Sequence, residues 1–309
     1  MTRLLATAAL MALAAPAFAQ VSEECGSVRF SDVGWTDITA TTAATTVVLE
    51  ALGYDVDVSL LSVPVTYTGL AEGDVDVFLG NWMPTMEADI APYRDAGTVD
   101  TVRANLTGAK YTLAVSSSLA ENGLTSFDAI SGFADLVDGK IYGIEPGNDG
   151  NRLIQEMIDT DTFGLGDFEL VESSEQGMLA QAARAERQGE GIVFLGWEPH
   201  PMNANLRMTY LSGGDDIFGP DFGGATVFTN TRAGYVEECP NIGAFLNNLE
   251  FTLAMENEIM SRILDMGEDP EDAATTWLKD NPDALDGWLV GVTTVDGGDG
   301  LAAAKAALE

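Results

Sequence analysis

Three tryptophans share one sequence setting. Each follows a hydrophobic run and then Gly or Asn: Val33-Gly34-Trp35, Leu79-Gly80-Asn81-Trp82 and Leu195-Gly196-Trp197. The second and third repeat Val-Phe-Leu-Gly before the indole and place Pro84 and Pro199 two residues after it. Such runs read as strands, and ligands of open α/β sheets bind beyond the carboxyl ends of strands. A single Trp is more often core packing, because Trp is mostly buried anyway. Three in one position point instead to a shared cavity. Its natural guest is a quaternary or tertiary ammonium group, which is apolar, positive and unable to donate strong hydrogen bonds. Aromatic faces supply dispersion and a negative quadrupole together, at about 2 kcal/mol per desolvated contact. Three or four such contacts, less the costs of association, reach a micromolar constant.

Other chemistry is thin. His200 is the single histidine, so a Ser-His-Asp triad would have to use it. No G-x-S-x-G, H-E-x-x-H or Walker A motif is present. The chain has 49 acids and nothing in the sequence singles out a catalytic pair. No metal site and no cofactor are expected. The net charge of −35 would repel nucleic acid and anionic membrane surfaces. It reads first as solubility in a salty medium, and second as a field that gathers small cations. An exported enzyme acting on a methylated amine is the alternative from another class. A calcium module is a third, raised by Asp296-Gly297-Gly298-Asp299, which lacks the alternating ligands of a calcium loop.

The elements that position these residues follow in order. Met1-Thr2-Arg3, an apolar run from Leu4 to Leu13 and Ala17-Phe18-Ala19 read as a secretory signal peptide cleaved after Ala19. Cys25 and Cys239 are an even pair in an exported chain, so a disulfide is expected, worth about 5 kcal/mol for so long a loop. Strands are expected over 27–33, 55–63 and 74–79. Asp37 is expected to open a helix from Ile38 to Leu52, with Gly53 as its stop. Separate strands are expected over 98–103 and 110–115, the second crossing into another domain. A β-α-β series then runs to Leu195, which implies a mostly parallel sheet covered on both faces. Strands over 206–211 and 224–230 return the chain. One helix is expected from Ile242 to Met266 and another from Glu271 to Lys279. Trp277 and Trp288 are expected to pack in this helical tail. The organisation is half-domain, whole domain, half-domain: residues 20–110 and 212–309 form one lobe and 111–211 the other. A cleft between such lobes is a usual small-molecule site.

Gly34-Trp35-Thr36-Asp37, Gly80-Asn81-Trp82-Met83-Pro84, Lys110-Tyr111 and Gly196-Trp197-Glu198-Pro199-His200-Pro201 together resemble the periplasmic choline-binding proteins of bacterial ABC transporters. The wider group is the glycine betaine binders of type II fold, and the likeness runs from about Val28 to Trp288. The resemblance implies an α/β, two-lobed periplasmic binding protein fold with ligand in the inter-lobe cleft. It implies an aromatic box of Trp35, Trp82, Tyr111 and Trp197, with Asp37 and Asn148 at the polar end of the guest. It also implies delivery to a membrane permease; a monomer is expected. Asp37 and Asn148 each have a plainer role as helix caps. A carboxylate at Asp37 would repel the carboxylate of betaine or carnitine and neutralise an ammonium, which favours choline. Trimethylamine N-oxide and acetylcholine remain within the same class. His200 reads as structural, and Lys110 and Arg152 as solvated.

Overall fold

A computed structural model describes residues 23–309; the expected signal peptide and its cleavage site lie outside them. Nine strands form one sheet: β1 Ser27–Asp32, β2 Asp55–Leu60, β3 Val77–Met83, β4 Val99–Ser116, β5 Lys140–Tyr142, β6 Glu169–Val171, β7 Val193–Glu198, β8 Met208–Tyr210 and β9 Gly224–Arg232. Their order is β2-β1-β3-β9-β4-β7-β5-β6, with β8 also paired to β4. The helices used below are α1 Thr36–Ala51, α2 Asp149–Asp159, α3 Glu175–Gln188, α4 Leu253–Met266 and α5 Pro270–Asp280.

The spine is β4. It pairs with β9 from Val99 to Lys110, and with β7 from Lys110 to Val115. Lys110 is the residue where the partner changes. The two separate strands expected over 98–103 and 110–115 are therefore one continuous strand, because β9 and β7 successively satisfy its backbone groups. Strands β1, β2, β3 and β9 gather along the first part of β4, and β5, β6, β7 and β8 along its last part. The sheet is mixed, not mostly parallel. The β1–β2, β1–β3, β5–β6 and β5–β7 pairs are parallel, and every pair made by β4 or β9 is antiparallel.

Helix α1 carries no charge between Asp37 and Glu50, and its small Ala and Thr side chains are almost all buried. A helix without a polar face belongs inside. It packs among α4, α5 and the first strands. The helix starts at Thr36, and its N-cap is Trp35, which makes no side-chain capping bond. Asp37 thus sits in the first turn and is not the cap expected from sequence. The single helix expected over 242–266 is broken into Pro240–Asn248 and α4, with Thr252 capping α4 through Met255 N–H. The chain leaves the first helix through an extended Leu249, and Phe251 N–H bonds to the Asn105 carbonyl.

Cys25 and Cys239 form a disulfide, Cα to Cα 5.5 Å, and tie β1 to the start of the helical tail. Trp288 is buried and donates to the Glu250 carbonyl, whereas Trp277 is only half-buried against Glu258. Asp296 accepts from the Thr294 hydroxyl, and Asp299 caps the last helix at Ala302 N–H, so both acids serve the local loop. Among the described residues no helix is long and apolar enough to cross a membrane.

Candidate ligand cavity

The aromatic walls come from three strands and one turn. Tyr111 on β4 and Trp197 on β7 are direct antiparallel partners, so their side chains leave the same face of the sheet. Their rings meet edge to face at 6.2 Å. Trp82 on β3 meets Tyr111 at 6.1 Å and 61°. One extra residue on β3, between Phe78 and Asn81, breaks its register with β9 just before Trp82. Such a bulge re-aims the side chains that follow it. Trp82 and Trp197 therefore lie within their strands, not behind them as the sequence implied.

Trp35 stands in the turn between β1 and α1. Gly34 holds φ +82° there, a conformation that suits glycine. Asp32 fixes the turn, accepting Gly34 N–H at 2.7 Å and the Thr39 hydroxyl at 2.7 Å. The Trp35 indole N–H reaches across to Glu145 Oε1 at 2.8 Å. Phe218 backs Tyr111 at 6.0 Å, and His200 backs Trp197 at 5.0 Å.

The structure brings all six residues named from sequence to one cavity: Trp35, Asp37, Trp82, Tyr111, Asn148 and Trp197, with Ile144 and Asp149 completing the lining. The four rings are 4–6% exposed. The empty space between these side chains is about 270 Å³ counting its open mouth. It suits a small guest. Among the described residues no Lys or Arg lines it. Lys110 pairs with Glu198 at 3.2 Å, and Arg152 donates to the Thr85 carbonyl and Asp89, each at 3.0 Å.

Asn148 caps α2, and its Oδ1 accepts both Asn151 N–H at 3.1 Å and the Tyr111 hydroxyl at 2.9 Å. It keeps its capping role while orienting one wall of the box. Gly150, in the first turn of α2, has no side chain to spare, because a Cβ there would land on Tyr111 Oη.

The acids are the unexpected part. Asp37 is fully buried and accepts the Trp82 indole N–H at 3.1 Å. Burial, and then the charge of Glu175, push its carboxyl up to about 8. Asp149 is pushed up to about 6 by burial, and its Oδ2 has no hydrogen-bond partner. Burial raises Glu145 to about 7 against the bond from Trp35. Behind Asp37, burial and the Asp37 charge hold the carboxyl of Glu256 on α4 well above its ordinary range. Desolvated acids in a lining that holds no Lys or Arg favour a positive guest. Sequence reasoning named Asp37 and missed Asp149, Glu145 and Glu175. Asp149 and Glu145 flank Asn148 in one turn, so their neighbourhood was visible. Glu175 is one acid among 49 with no local signal.

Residues 26–280 match the model of the substrate-binding domain of ABC-type glycine betaine transport systems. An ABC-transporter choline-binding protein solved with choline is 69% identical, covers 93% of this chain and 100% of its own, and superposes with a TM-score of 0.92. An unliganded semi-closed choline-binding structure, also 69% identical and covering 93% of this chain and 99% of its own, gives 0.85. The glycine betaine/carnitine transport binding protein GbuC of Listeria monocytogenes is 29% identical over 174 residues, 56% of this chain and 57% of its own length. Binding proteins of such transporters work outside the cytoplasm. With the family model matched across most of its length, this chain belongs to the substrate-binding domains of ABC-type glycine betaine transport systems.

Proposed function

We propose that this protein captures choline outside the cytoplasm and delivers it to an ABC permease. Trp35, Trp82, Tyr111 and Trp197 enclose the trimethylammonium head, and Asp37 supplies the opposing charge. Asn148 and Asp149 meet the hydroxyl end. The observation that carries this reading is the lining itself: four aromatic rings, two carboxyls and no cation around one small buried space. A betaine or carnitine carboxylate would have to enter that space against Asp37 and Asp149. Choline and trimethylamine N-oxide would not.

The protein makes and breaks no bond in this reading. The lobes are residues 20–110 with 212–309, and residues 111–211, hinged where β4 changes partner at Lys110. Polar bonds span the cleft between them: Trp35 to Glu145, Thr36 to Glu175, and Arg152 to Thr85 and Asp89. The greater likeness to the choline-bound relative than to the semi-closed one supports a closed cleft. Export to the periplasm, with cleavage after Ala19, completes the reading, and the protein acts as a monomer.

A thermal-shift panel of methylated amines tests it, because a ligand that binds only the folded state raises stability by mass action. Choline is expected to give the largest rise. A larger rise with trimethylamine N-oxide would reassign the substrate, and a larger rise with betaine would remove the argument from Asp37.

A further inference from the structure

Glu175 stands behind the cavity, not in it. It opens α3, whose cap is Ser174, and it is 1% exposed. Its Oε2 accepts Thr36 N–H at 2.9 Å, and its Oε1 accepts the Thr36 hydroxyl. His200 Nε2 reaches the same Oε1 at 3.1 Å. His200 Nδ1 accepts Met202 N–H at 2.9 Å, so the ring carries its hydrogen on Nε2 and donates it to Glu175. Three donors therefore converge on one buried carboxylate.

The placement of those donors matters. Thr36 lies between Trp35 and Asp37. The His200 ring packs edge-on against Trp197 at 5.0 Å and 68°. Glu175 thus joins two walls of the box from outside, across 139 positions of sequence. The first N–H of a helix has no intrahelical partner. Trp35 offers α1 no side-chain cap, and Glu175 accepts the N–H of Thr36 from the opposite lobe.

We propose that Glu175 is a positioning residue, a latch that fastens Thr36 to His200 when the cleft closes and so sets how long the guest is held. The proposal rests on the choline-capture reading above. In an open cleft, water would take the place of Thr36, while His200 stays bonded to Glu175 within its own lobe. The latch forms only after the guest has entered, so it acts on release and not on entry.

The test is stopped-flow release of choline from the full chain, followed by tryptophan fluorescence, in wild type, Thr36→Val, Thr36→Ser and Glu175→Gln. Thr36→Val and Glu175→Gln are expected to speed release at least about tenfold, with association within about threefold of wild type. Thr36→Ser keeps both donors and is expected to release choline at the wild-type rate. Combining Thr36→Val with Glu175→Gln is expected to give less than the product of the single effects, because the two residues share one bond set. Wild-type release rates in both Thr36→Val and Glu175→Gln would overturn the latch. A lowered ligand-free Tm in Thr36→Val with unchanged release would overturn it as well, by showing a role in folding alone. Should Glu175→Gln fail to fold, the comparison of Thr36→Val with Thr36→Ser decides by itself. Wild-type protein that binds no choline would instead overturn the capture reading, and the latch with it.

Discussion

The Trp82 indole N–H donates to Asp37 Oδ2 at 3.1 Å, so one aromatic wall of the cavity holds an acid of the same lining. In the proposed reading the bond leaves the indole face free for the trimethylammonium group and fixes where the negative charge can sit. Hydrophobic enclosure and charge recognition are thereby set by the same pair.

Replacing Asp37 by Asn keeps an acceptor for Trp82 and removes the charge. Leaving a buried cation without its partner costs several kcal/mol, so choline affinity is expected to fall at least about 100-fold. The neutral isostere of choline, with a tert-butyl group in place of trimethylammonium, is expected to bind the variant at least as well as wild type. Titration calorimetry with both compounds checks this. An equal loss for both would show that Asp37→Asn had merely disturbed the cavity.

Trp197→Leu removes one aromatic face while keeping an apolar wall. The expected loss is about 2 kcal/mol, roughly 30-fold in choline Kd. Equilibrium fluorescence titration measures it, and a change under threefold would contradict a cation–π role.

Gly150→Ala separates the cavity from stability in an unusual way. Alanine is the better helix former by about 1 kcal/mol, yet here its Cβ would displace the Tyr111 hydroxyl. The expected outcome is a folded protein that binds choline at least about tenfold more weakly, because the Tyr111 wall is moved. Circular dichroism and calorimetry on the same sample decide it.

The buried acids give stability a pH dependence. Burial raises Asp37 to about 8 and Asp149 to about 6. An acid raised in this way stabilises the fold below the ordinary carboxylate range near pH 4, and that contribution is lost as pH rises through its raised value. The ligand-free protein is therefore expected to lose stability from these groups between about pH 4 and 8. Choline matches the charge, so the Tm rise it causes should grow over the same window. Melting curves at acid, neutral and mildly alkaline pH, with and without choline, measure both slopes. A choline-induced rise that is constant across them would refute the coupling.

Replacing Cys25 and Cys239 together by Ser is expected to cost about 2–5 kcal/mol of stability. Neither cysteine lines the cavity, so choline affinity should stay at the wild-type value. Denaturant melts and calorimetry check the two halves of this prediction.

Much of the site could be read from sequence because its walls sit in local phrases. The repeated Val-Phe-Leu-Gly run marked Trp82 and Trp197, and the Gly34 turn marked Trp35. Tyr111 came only from resemblance, since a Tyr within a long strand carries no local signal. The N-terminus of α1 misled for a physical reason. Asp37 looked like the cap because capping is usually local, but the buried N–H of Thr36 is satisfied by Glu175, 139 positions away. The unity of β4 was hidden for a similar reason. Its two halves pair with different strands, and sequence shows no partner. What stayed invisible were the side chains whose roles depend on tertiary neighbours: Glu175, Asp149 and the bond from Trp35 to Glu145.

The measurement closest to the central claim is calorimetric comparison of choline, glycine betaine and the tert-butyl isostere on the wild-type protein. An aromatic box faced by Asp37 predicts micromolar or tighter choline binding, with betaine and the isostere each weaker by at least about 100-fold. Betaine binding as tightly as choline, or the uncharged isostere doing so, would contradict it.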